Sequence, residues 1–388
     1  MGRVKALCHK RLNDHACAGT SASCRRNGLT RYTSAVTAQP KNLLDLAPDD
    51  ARQALLSAMA ELGQPSYRAD QVLRRLWINP AADFDVMSEL PAALRASLAA
   101  RFVLPRLSLA VRQSSTDGTE KFLFTLADGQ SIETVAIPDG DRMTFCVSSQ
   151  AGCALACAFC ATGAMGFQRN LAAHEIAGQV RELAMLSPPV RATNIVFMGM
   201  GEPLMNWKAV SPTLTILNSP EGFGIGARHI TVSTVGILPG IVALGERPEQ
   251  FRLAISIHAP NDALRQELMP VNTKFPLVDV IHAAAAFDRR VTFEYVMLGG
   301  VNDSHLLANQ LSTLAKACKA FVNLIPLHPG GGLGFDPTPR ESIHQFANWI
   351  RDTGVEVAIR RSRGLDISAA CGQLRVEKIG RRRELTTP

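Results

Sequence analysis

Three cysteines lie close together near the middle of the chain, in the segment Cys153-Ala-Leu-Ala-Cys157-Ala-Phe-Cys160. Three thiolates within eight residues, on a loop after a β-rich run, can hold three irons of a [4Fe–4S] cluster. No fourth cysteine follows in the loop, so one iron would stay open to a ligand from outside the protein. A structural zinc site would need four closed ligands, and His174 stands fourteen residues beyond Cys160, a poor spacing for zinc. The spacing therefore favours a cluster with one open iron.

The chain has nine cysteines, and those outside this loop follow no regular spacing. Three lie in the first 24 residues, Cys146 precedes the cluster loop by seven residues, and Cys318 and Cys371 stand alone. An odd count in a chain of 388 residues argues against a secreted disulfide framework and favours metal or redox chemistry in a reducing compartment. Taken alone, Cys371 is more often a small buried hydrophobic residue than a catalytic one.

From residue 142 onwards, short β-rich runs alternate with helical stretches. The β-rich runs lie at 143–148, 194–198, 229–233, 252–257, 291–297, 321–327 and 355–360. The helical stretches lie at 173–186, 277–288, 303–319 and 340–352. This alternation predicts an α/β fold built from parallel βαβ units, in a partial barrel of the (βα)6 type.

The residues with chemical potential stand at the ends of these predicted strands, where parallel barrels carry their functional groups. The cysteine loop follows the first run and Gly199–Pro203 follows the second. Ser233-Thr234 and Ser256–His258 close the third and fourth. Alone, Glu202 is more typical of a helix N-terminus, and serines at strand ends usually bond only to loop backbone.

The sequence on either side of the barrel predicts smaller structural units. Residues 42–105 show a helical pattern in which Asp49-Asp50 can cap a helix that ends at Gly63. Residues 106–141 alternate like strands around Asp117-Gly118 and Asp128-Gly129, which predicts a β-meander between the helical unit and a barrel domain over 142–376. Residues 377–388 form a basic C-terminal tail.

Residues 1–41 predict a disordered basic extension, because they are rich in Ser, Thr and Arg and lack an apolar signal core. An organellar transit peptide is the alternative for this extension. The formal net charge of +7 suits a polyanionic partner such as RNA. No run of about 18 uncharged apolar residues occurs, so we expect no membrane span.

Several segments together resemble the RlmN/Cfr family of radical S-adenosylmethionine RNA adenine methyltransferases. They are CVSSQAGCALACAFCATGAMGFQRNL (146–171), MGMGEPLMN (198–206), STVG (233–236), SIHAP (256–260), YVMLGGVND (295–303), NLIP (323–326) and AACGQL (369–374). NLLDL (42–46) and YRADQV (67–72) resemble the family's N-terminal domain, so the likeness covers about residues 42–376.

The resemblance implies a radical S-adenosylmethionine barrel whose Cys153, Cys157 and Cys160 bind a [4Fe–4S] cluster. It implies that two molecules of S-adenosylmethionine are used per turnover. The expected cofactor contacts lie at strand ends and are Gly201, Glu202, Ser233, Ser256, Ile257, His258 and His328. The family usually has an aromatic residue and then Asn where Leu327-His328 stand here, so His328 departs from the family pattern.

The resemblance also implies a mechanism with two further cysteines. Cys371 takes a methyl group from one cofactor molecule, and a 5′-deoxyadenosyl radical from a second removes a hydrogen from that S-methyl group. The carbon radical adds to an adenine, and Cys146 then releases the product through a transient disulfide with Cys371. Glu133, in IETVAIP, aligns with an acid that handles protons. Ser368 replaces the family's usual aspartate three residues before Cys371.

The function that follows is methylation of adenine C2 in 23S ribosomal RNA and, as in some relatives, transfer RNA. The implied partners are RNA and a low-potential electron donor such as flavodoxin. We expect the protein to be cytoplasmic and monomeric. A Cfr-like C8 methyltransferase, which confers antibiotic resistance, shares every cysteine named and stays open. A non-catalytic iron–sulfur electron carrier would leave Cys146 and Cys371 inert and the GMGEP segment unexplained. An RNA-binding protein with a structural metal is a further alternative, which iron and sulfide analysis after anaerobic purification decides.

Overall fold

A ten-stranded β-sheet organises the chain. The structure is a computed structural model and describes residues 39–327, 333–369 and 372–374. The strands are β1 (Lys41–Asn42), β2 (Phe102–Val103), β3 (Ser108–Ser114), β4 (Glu120–Thr125), β5 (Ser131–Asp139), β6 (Arg142–Cys146), β7 (Gln150–Gly152), β8 (Phe167–Asn170), β9 (Asn194–Phe197), β10 (Ile230–Thr234), β11 (Arg252–Ser256), β12 (Val291–Met297), β13 (Phe321–Pro326) and β14 (Val357–Ile359). The helices are α1 (Pro48–Glu61), α2 (Tyr67–Leu76), α3 (Ala92–Ala99), α4 (Ala161–Ala164), α5 (Ala173–Ala184), α6 (Trp207–Asn218), α7 (Leu238–Gly245), α8 (Asp262–Leu268), α9 (Leu277–Ala286), α10 (His305–Cys318) and α11 (Arg340–Asp352).

The parallel part of the sheet is the predicted barrel. Strands β6 and β9 to β14 run parallel and neighbour one another in chain order. Each step between neighbours passes through at least one helix, which gives six βα crossovers. Central residues such as Ile255 and Phe293 are fully buried, as expected for strands with both faces covered. The predicted partial (βα)6-type barrel is confirmed.

The predicted elements of the barrel match the structure closely, but the short elements β7, β8 and α4 and the helices α6, α7 and α8 were not predicted. Helix α6 contains Pro212, which removes a backbone donor, and Thr213, which is β-branched. Helix α7 begins Leu238-Pro239-Gly240, so two of its first residues are poor helix formers. Tertiary packing overrides these local preferences. Within the chain segments described, no helix is long and apolar enough to cross a bilayer.

The β-meander β3–β5 is antiparallel and continues the same sheet. Its two turns contain Gly118 and Gly129 with φ of 83° and 82°, as the Asp-Gly signals predict. Strand β5 pairs with β6, so the predicted boundary between residues 141 and 142 falls in the turn of a β-hairpin. The meander is therefore hydrogen-bonded to the first strand of the barrel.

The N-terminal helices form a core of their own around Leu55, Met59, Leu73 and Trp77. The fully buried Arg181 of α5 joins this core to the barrel, because its guanidinium donates to the carbonyls of α2 and of the following loop. Such a cation inside the protein is tolerated only with hydrogen-bond partners.

The prediction that Asp49-Asp50 cap helix α1 is wrong. The N-cap is Ala47, which makes no side-chain capping bond, and Pro48 takes the first helical position. Proline suits that position, since its missing N–H would have no partner there. Both aspartates lie in the first turn, where negative charge favours the helix dipole.

Candidate active site

The cysteine loop joins strand β7 to helix α4 and is fixed by backbone contacts. Gly152 has φ of 76°, and a Cβ placed there would lie 1.9 Å from the carbonyl oxygen of Gly166, so only glycine fits. The N–H of Cys153 donates to that same carbonyl at 3.0 Å. Further on, the N–H of Ala158 donates to the carbonyl of Leu268 at the end of α8, at 2.9 Å. The loop is thus anchored on both sides of Cys157.

All three loop cysteines line one cavity of about 1030 Å³, including its open mouth. This volume suits a cluster together with a small organic cofactor, since ligand pockets commonly measure roughly 300–1,000 Å³. Burial raises the pKa of Cys153 to about 11 and also raises that of Cys157. Without a cation these sulfurs would stay protonated, whereas metal ions bind them as thiolates. The donor set therefore fits an iron–sulfur cluster.

The sulfurs are not arranged around a single ion. Among the residues that the structure covers, no three His, Cys, Asp or Glu side chains are grouped closely enough to hold one metal ion. Each thiolate of a [4Fe–4S] cluster binds a different iron, so its ligands need not converge on one point. His174, weighed above as a zinc ligand, instead contacts Asp45, with Nδ1 at 2.8 Å from a carboxylate oxygen.

Glu202 lies at the wall of the same cavity, after strand β9. Its carboxylate accepts the backbone N–H of Leu204 at 3.0 Å and that of Val235 at 2.9 Å, which links the ends of β9 and β10. Burial raises its pKa to about 7 although these donors oppose the shift. A carboxylate with about four acceptor positions can still take an ammonium group. The neighbouring Gly201 has φ of 97°, and a Cβ there would lie 2.4 Å from the Gln150 side chain.

Ser233, Ser256 and His258 line the cavity at the ends of β10 and β11. Ile257 does not line it, because its side chain is fully buried in the hydrophobic core and its N–H donates to the carbonyl of Glu294. The predicted cofactor contacts among the described residues therefore gather at one edge of the sheet, except the side chain of Ile257. His328 lies outside the described residues, beside Leu327, which lines the cavity.

His258 is held in one tautomer. Its Nδ1 accepts the N–H of Val296 at 3.0 Å, so the neutral ring carries its proton on Nε2. Burial, with a smaller contribution from Arg265, lowers the pKa of His258 to about 3, so the ring is neutral at ordinary pH. Asn302, from the GGVND segment, donates to the His258 carbonyl at 2.9 Å. This contact helps to hold His258 at its left-handed φ of 56°.

A second pocket adjoins the cofactor cavity and contains Cys146, which closes strand β6 and is 5% exposed. It measures about 1270 Å³ with its mouth. The two pockets share a wall of five barrel residues and one from the C-terminal segment, namely Met198, Val296, Ile325, Leu327, Arg360 and Leu374. Arginines line the second pocket and are Arg142, Arg360, Arg361 and Arg363. This basic pocket is large enough for a nucleotide base.

Glu133 lies on β5, buried, and its carboxylate is 3.1 Å from the ammonium of Lys121 on β4. The pairing of β5 with β6 sets Val135 opposite Cys146. Glu133 is two residues from Val135 on β5, so its side chain lies on the same face of the sheet as that of Cys146. Lys121 also donates to the carbonyl of Ser368 at 3.4 Å. The ion pair therefore lies beside the segment that leads to Cys371.

Cys371 itself lies outside the described residues, but its neighbours in the chain are placed. Ala369 lines the second pocket. The carbonyl of Gly372 accepts the N–H of Ala161 at 2.8 Å, directly after Cys160. The carbonyl of Leu374 accepts the hydroxyl of Thr162 at 2.7 Å. Of the described residues near Cys371, Ala369 therefore contacts the second pocket, and Gly372 and Leu374 contact the start of helix α4.

Glu294 and Arg360 both line the cofactor cavity, and Glu294 was not predicted. Glu294 is buried on β12, accepts from the Asn323 amide at 2.8 Å, and has its pKa raised by burial despite the nearby positive charge of Arg360. The signal for Glu294 was present, because a single acid inside the otherwise apolar strand VTFEYVM is unusual.

Comparison with known protein families finds two matches. Residues 147–309 match the radical SAM superfamily, and residues 41–104 match the ribosomal RNA large subunit methyltransferase N-terminal domain. The second range agrees with the helical unit around Trp77.

Several relatives and a solved structure resemble most of the chain. A probable dual-specificity RNA methyltransferase RlmN from Gemmatimonas aurantiaca is 70% identical over 341 residues, covering 88% of this chain and 95% of that protein. The dual-specificity RNA methyltransferase RlmN of Alkalilimnicola ehrlichii is 44% identical, covering 86% and 93%. The crystal structure of a radical SAM methyltransferase from Sphaerobacter thermophilus is 45% identical, with a TM-score of 0.81, covering 87% of this chain and all (100%) of that one.

Proposed function

The chain belongs to the RlmN family of radical S-adenosylmethionine RNA methyltransferases, and from this premise we propose that it methylates C2 of an adenine in 23S ribosomal RNA and in transfer RNA. It is an RNA methyltransferase that uses a [4Fe–4S] cluster and S-adenosylmethionine. The observation that carries the finer proposal is the 70% identity to a relative described as a dual-specificity RNA methyltransferase. The sequence resemblance to that branch of the family supports the choice of C2.

We assign the cluster to Cys153, Cys157 and Cys160. When bound, the cluster supplies the electron that cleaves S-adenosylmethionine to methionine and a 5′-deoxyadenosyl radical. Glu202 would hold the ammonium group of the cofactor in its buried cavity, and Ser233 with Ser256 would hydrogen-bond its carboxylate and ribose. The remaining cofactor contacts that we propose are Gly201, the backbone of Ile257, His258 and His328. Support comes from the shared cavity of the described members of this set.

We assign the second pocket to the target adenine. A base must leave its stack to reach such a pocket, so the substrate is expected to present a loop or bulge. Cys371 would carry the methyl group between the two pockets, since thiolate sulfur is a good nucleophile toward a sulfonium carbon. Cys146 and Glu133 would take up protons during product release. Their position on the same face of the sheet, with Cys146 in the wall of the second pocket, supports these roles.

The electron donor, assembly and compartment are part of the same proposal. A low-potential donor such as flavodoxin would reduce the cluster, and the enzyme would act as a cytoplasmic monomer. A reducing compartment suits a protein with nine cysteines that depends on thiolate ligands.

Nucleoside analysis tests the position of methylation. RNA from cells that lack the native activity and express this chain is digested, and 2-methyladenosine is separated from 8-methyladenosine by chromatography and mass spectrometry. We expect 2-methyladenosine from both the 23S and the transfer RNA fractions. Detection of 8-methyladenosine without 2-methyladenosine would replace the C2 proposal with the Cfr-like alternative. Methylation of 23S RNA alone would remove transfer RNA from the proposed substrates.

The arginines of the second pocket are expected to bind RNA phosphate. Changing Arg142, Arg361 and Arg363 together to glutamine should weaken RNA binding and lower the slope of log affinity against log salt by about 2, because each phosphate neutralised on a single strand contributes ~0.7 to that slope. Binding is measured by filter retention at several salt concentrations. Arg351→Gln, on the outer helix α11, is the control and should leave the slope unchanged. An unaltered slope in the triple variant would contradict this assignment.

A further inference from the structure

We propose that the turn between β3 and β4 positions the segment that carries Cys371, through a carboxylate clasp formed by Asp117 of the turn and Asp366 of the segment. The inference rests on the proposed function, because the methyl-carrying role of Cys371 is part of it. Asp366 accepts two hydrogen bonds from the turn, and Asp117 accepts one from the segment. The meander, predicted above as a connection between two units, would then serve catalysis.

Asp366 reaches toward the turn. One carboxylate oxygen accepts the hydroxyl of Ser115 at 2.6 Å, and the other accepts the N–H of Thr116 at 3.2 Å. In the opposite direction, Asp117 accepts the N–H of Gly364 at 3.0 Å. Hydrogen bonds to an ionised acceptor are shorter and stronger than those between neutral groups. These contacts bridge about 250 residues of sequence and tie the turn to the segment from both sides.

Packing and charge reinforce the clasp. Gly364 has φ of 65°, and a Cβ there would come within 2.9 Å of the Thr119 methyl and 2.7 Å of Ala369 Cβ, so the segment lies directly against the turn. Although burial opposes it, the hydrogen bonds from Gly364 and Thr119 lower the pKa of Asp117 to about 2. The bond from Ser115 lowers the pKa of Asp366 as well. Both carboxyl groups are therefore charged through the neutral pH range.

The position of the clasp indicates what it controls. It holds residues 364–366, five residues before Cys371, and Lys121 on the adjoining strand holds the Ser368 carbonyl. None of the four side chains Ser115, Asp117, Lys121 and Asp366 lines the cofactor cavity. Release of the clasp should therefore leave cofactor binding and cleavage in place but misplace the methyl carrier.

The variant Asp366→Asn tests this separation, because its amide loses the negative charge and keeps only one acceptor oxygen for the two donors of the turn. We measure the ratio of 5′-deoxyadenosine formed to methyladenosine formed, in the reconstituted enzyme with RNA. Misplacement of a reacting group should raise this ratio about tenfold. A merely destabilised protein would lose both products together and keep the ratio constant. Ser115→Ala, which removes one bond only, should give a smaller rise, and Asp352→Asn at the exposed end of α11 should give none.

A second measurement does not depend on turnover. Alkylation of Cys371 by iodoacetamide in metal-free protein, followed by peptide mass spectrometry, should be several-fold faster in Asp366→Asn than in the unaltered chain. An unchanged ratio and an unchanged alkylation rate would overturn the clasp while leaving the proposed function intact. Absence of RNA methylation in the unaltered enzyme would remove the proposed function, and the alkylation rates would still decide whether the turn holds the segment.

Discussion

Alanine in place of Cys153, Cys157 or Cys160 is expected to abolish the brown iron–sulfur chromophore and all cleavage of S-adenosylmethionine. Each cysteine supplies one of the cluster's three protein ligands under the proposed assignment, so its loss leaves a second iron without a thiolate. The loop offers no substitute, because no other Cys or His lies between Cys146 and His174. Iron and sulfide are counted after anaerobic reconstitution, and 5′-deoxyadenosine is measured with a chemical reductant.

The matched control is Cys318→Ala. Cys318 ends helix α10, its thiol contacts the carbonyl of Ile281 at 3.4 Å, and burial raises its pKa to about 11, so it stays a thiol. Its replacement should keep full iron content and cleavage. If a variant lacking all three loop cysteines retains its iron, the cluster assignment does not hold.

The barrel was predictable because its signals are local. Runs such as VTFEYVM and FVNLIP are β-rich and bounded by helices, so their type and order follow from a short window of sequence. The helical unit around Trp77 was predictable for the same reason. Helices α6 and α7 were missed because Pro212 and Gly240 contradict their surroundings, and burial against the sheet decides their structure instead. The α1 cap was misplaced because Pro48 outweighs the two aspartates that follow it.

Sequence spacing could predict those site residues that lie close together in the chain. It could not predict contacts between residues that only the fold brings together. Three cysteines within eight residues indicate a cluster without any structure. The pairing of Lys121 with Glu133 depends on the register of β4 and β5, and the clasp of Asp117 with Asp366 joins distant parts of the chain. Such contacts leave no periodic signal. The pKa of Glu202, raised to about 7, likewise arises from burial that the sequence does not disclose.

Cys371→Ala and Cys146→Ala are expected to stop the reaction at different stages. Under the proposed assignment Cys371 is the sulfur that carries the methyl group, so Cys371→Ala should give neither methylated RNA nor a protein–RNA adduct. Cys146→Ala should still accept the methyl group on Cys371 and join it to adenine. It should then accumulate a covalent enzyme–RNA species, seen as a slower band on a denaturing gel and removed by nuclease.

The difference follows from what each stage requires. Under the proposed mechanism, addition needs only the carbon radical and the base. Release must break the bond between the Cys371 sulfur and the transferred carbon. Once the radical adduct had returned one electron to the cluster and lost its ring proton, the thiolate of Cys146 would attack the Cys371 sulfur and form a disulfide. The carbon would keep the electron pair of the broken bond and take up a proton to complete the methyl group. Cys146 is 5% exposed at the end of β6 and lines this pocket, which suits a residue that acts on a bound intermediate.

Cys318→Ala again supplies the comparison, because it removes a half-buried sulfur from a helix far along the sheet order from β6 and should methylate RNA normally. Iron content and thermal midpoint are checked in each variant, so that an unfolded protein is not mistaken for a blocked one. Equal behaviour of the Cys146 and Cys371 variants would contradict the two-cysteine mechanism, as would methylation by Cys371→Ala. In that case the proposed roles of Cys146 and Cys371 would be withdrawn. The cluster assignment to Cys153, Cys157 and Cys160 would not be affected, because the alanine variants of those cysteines test it separately.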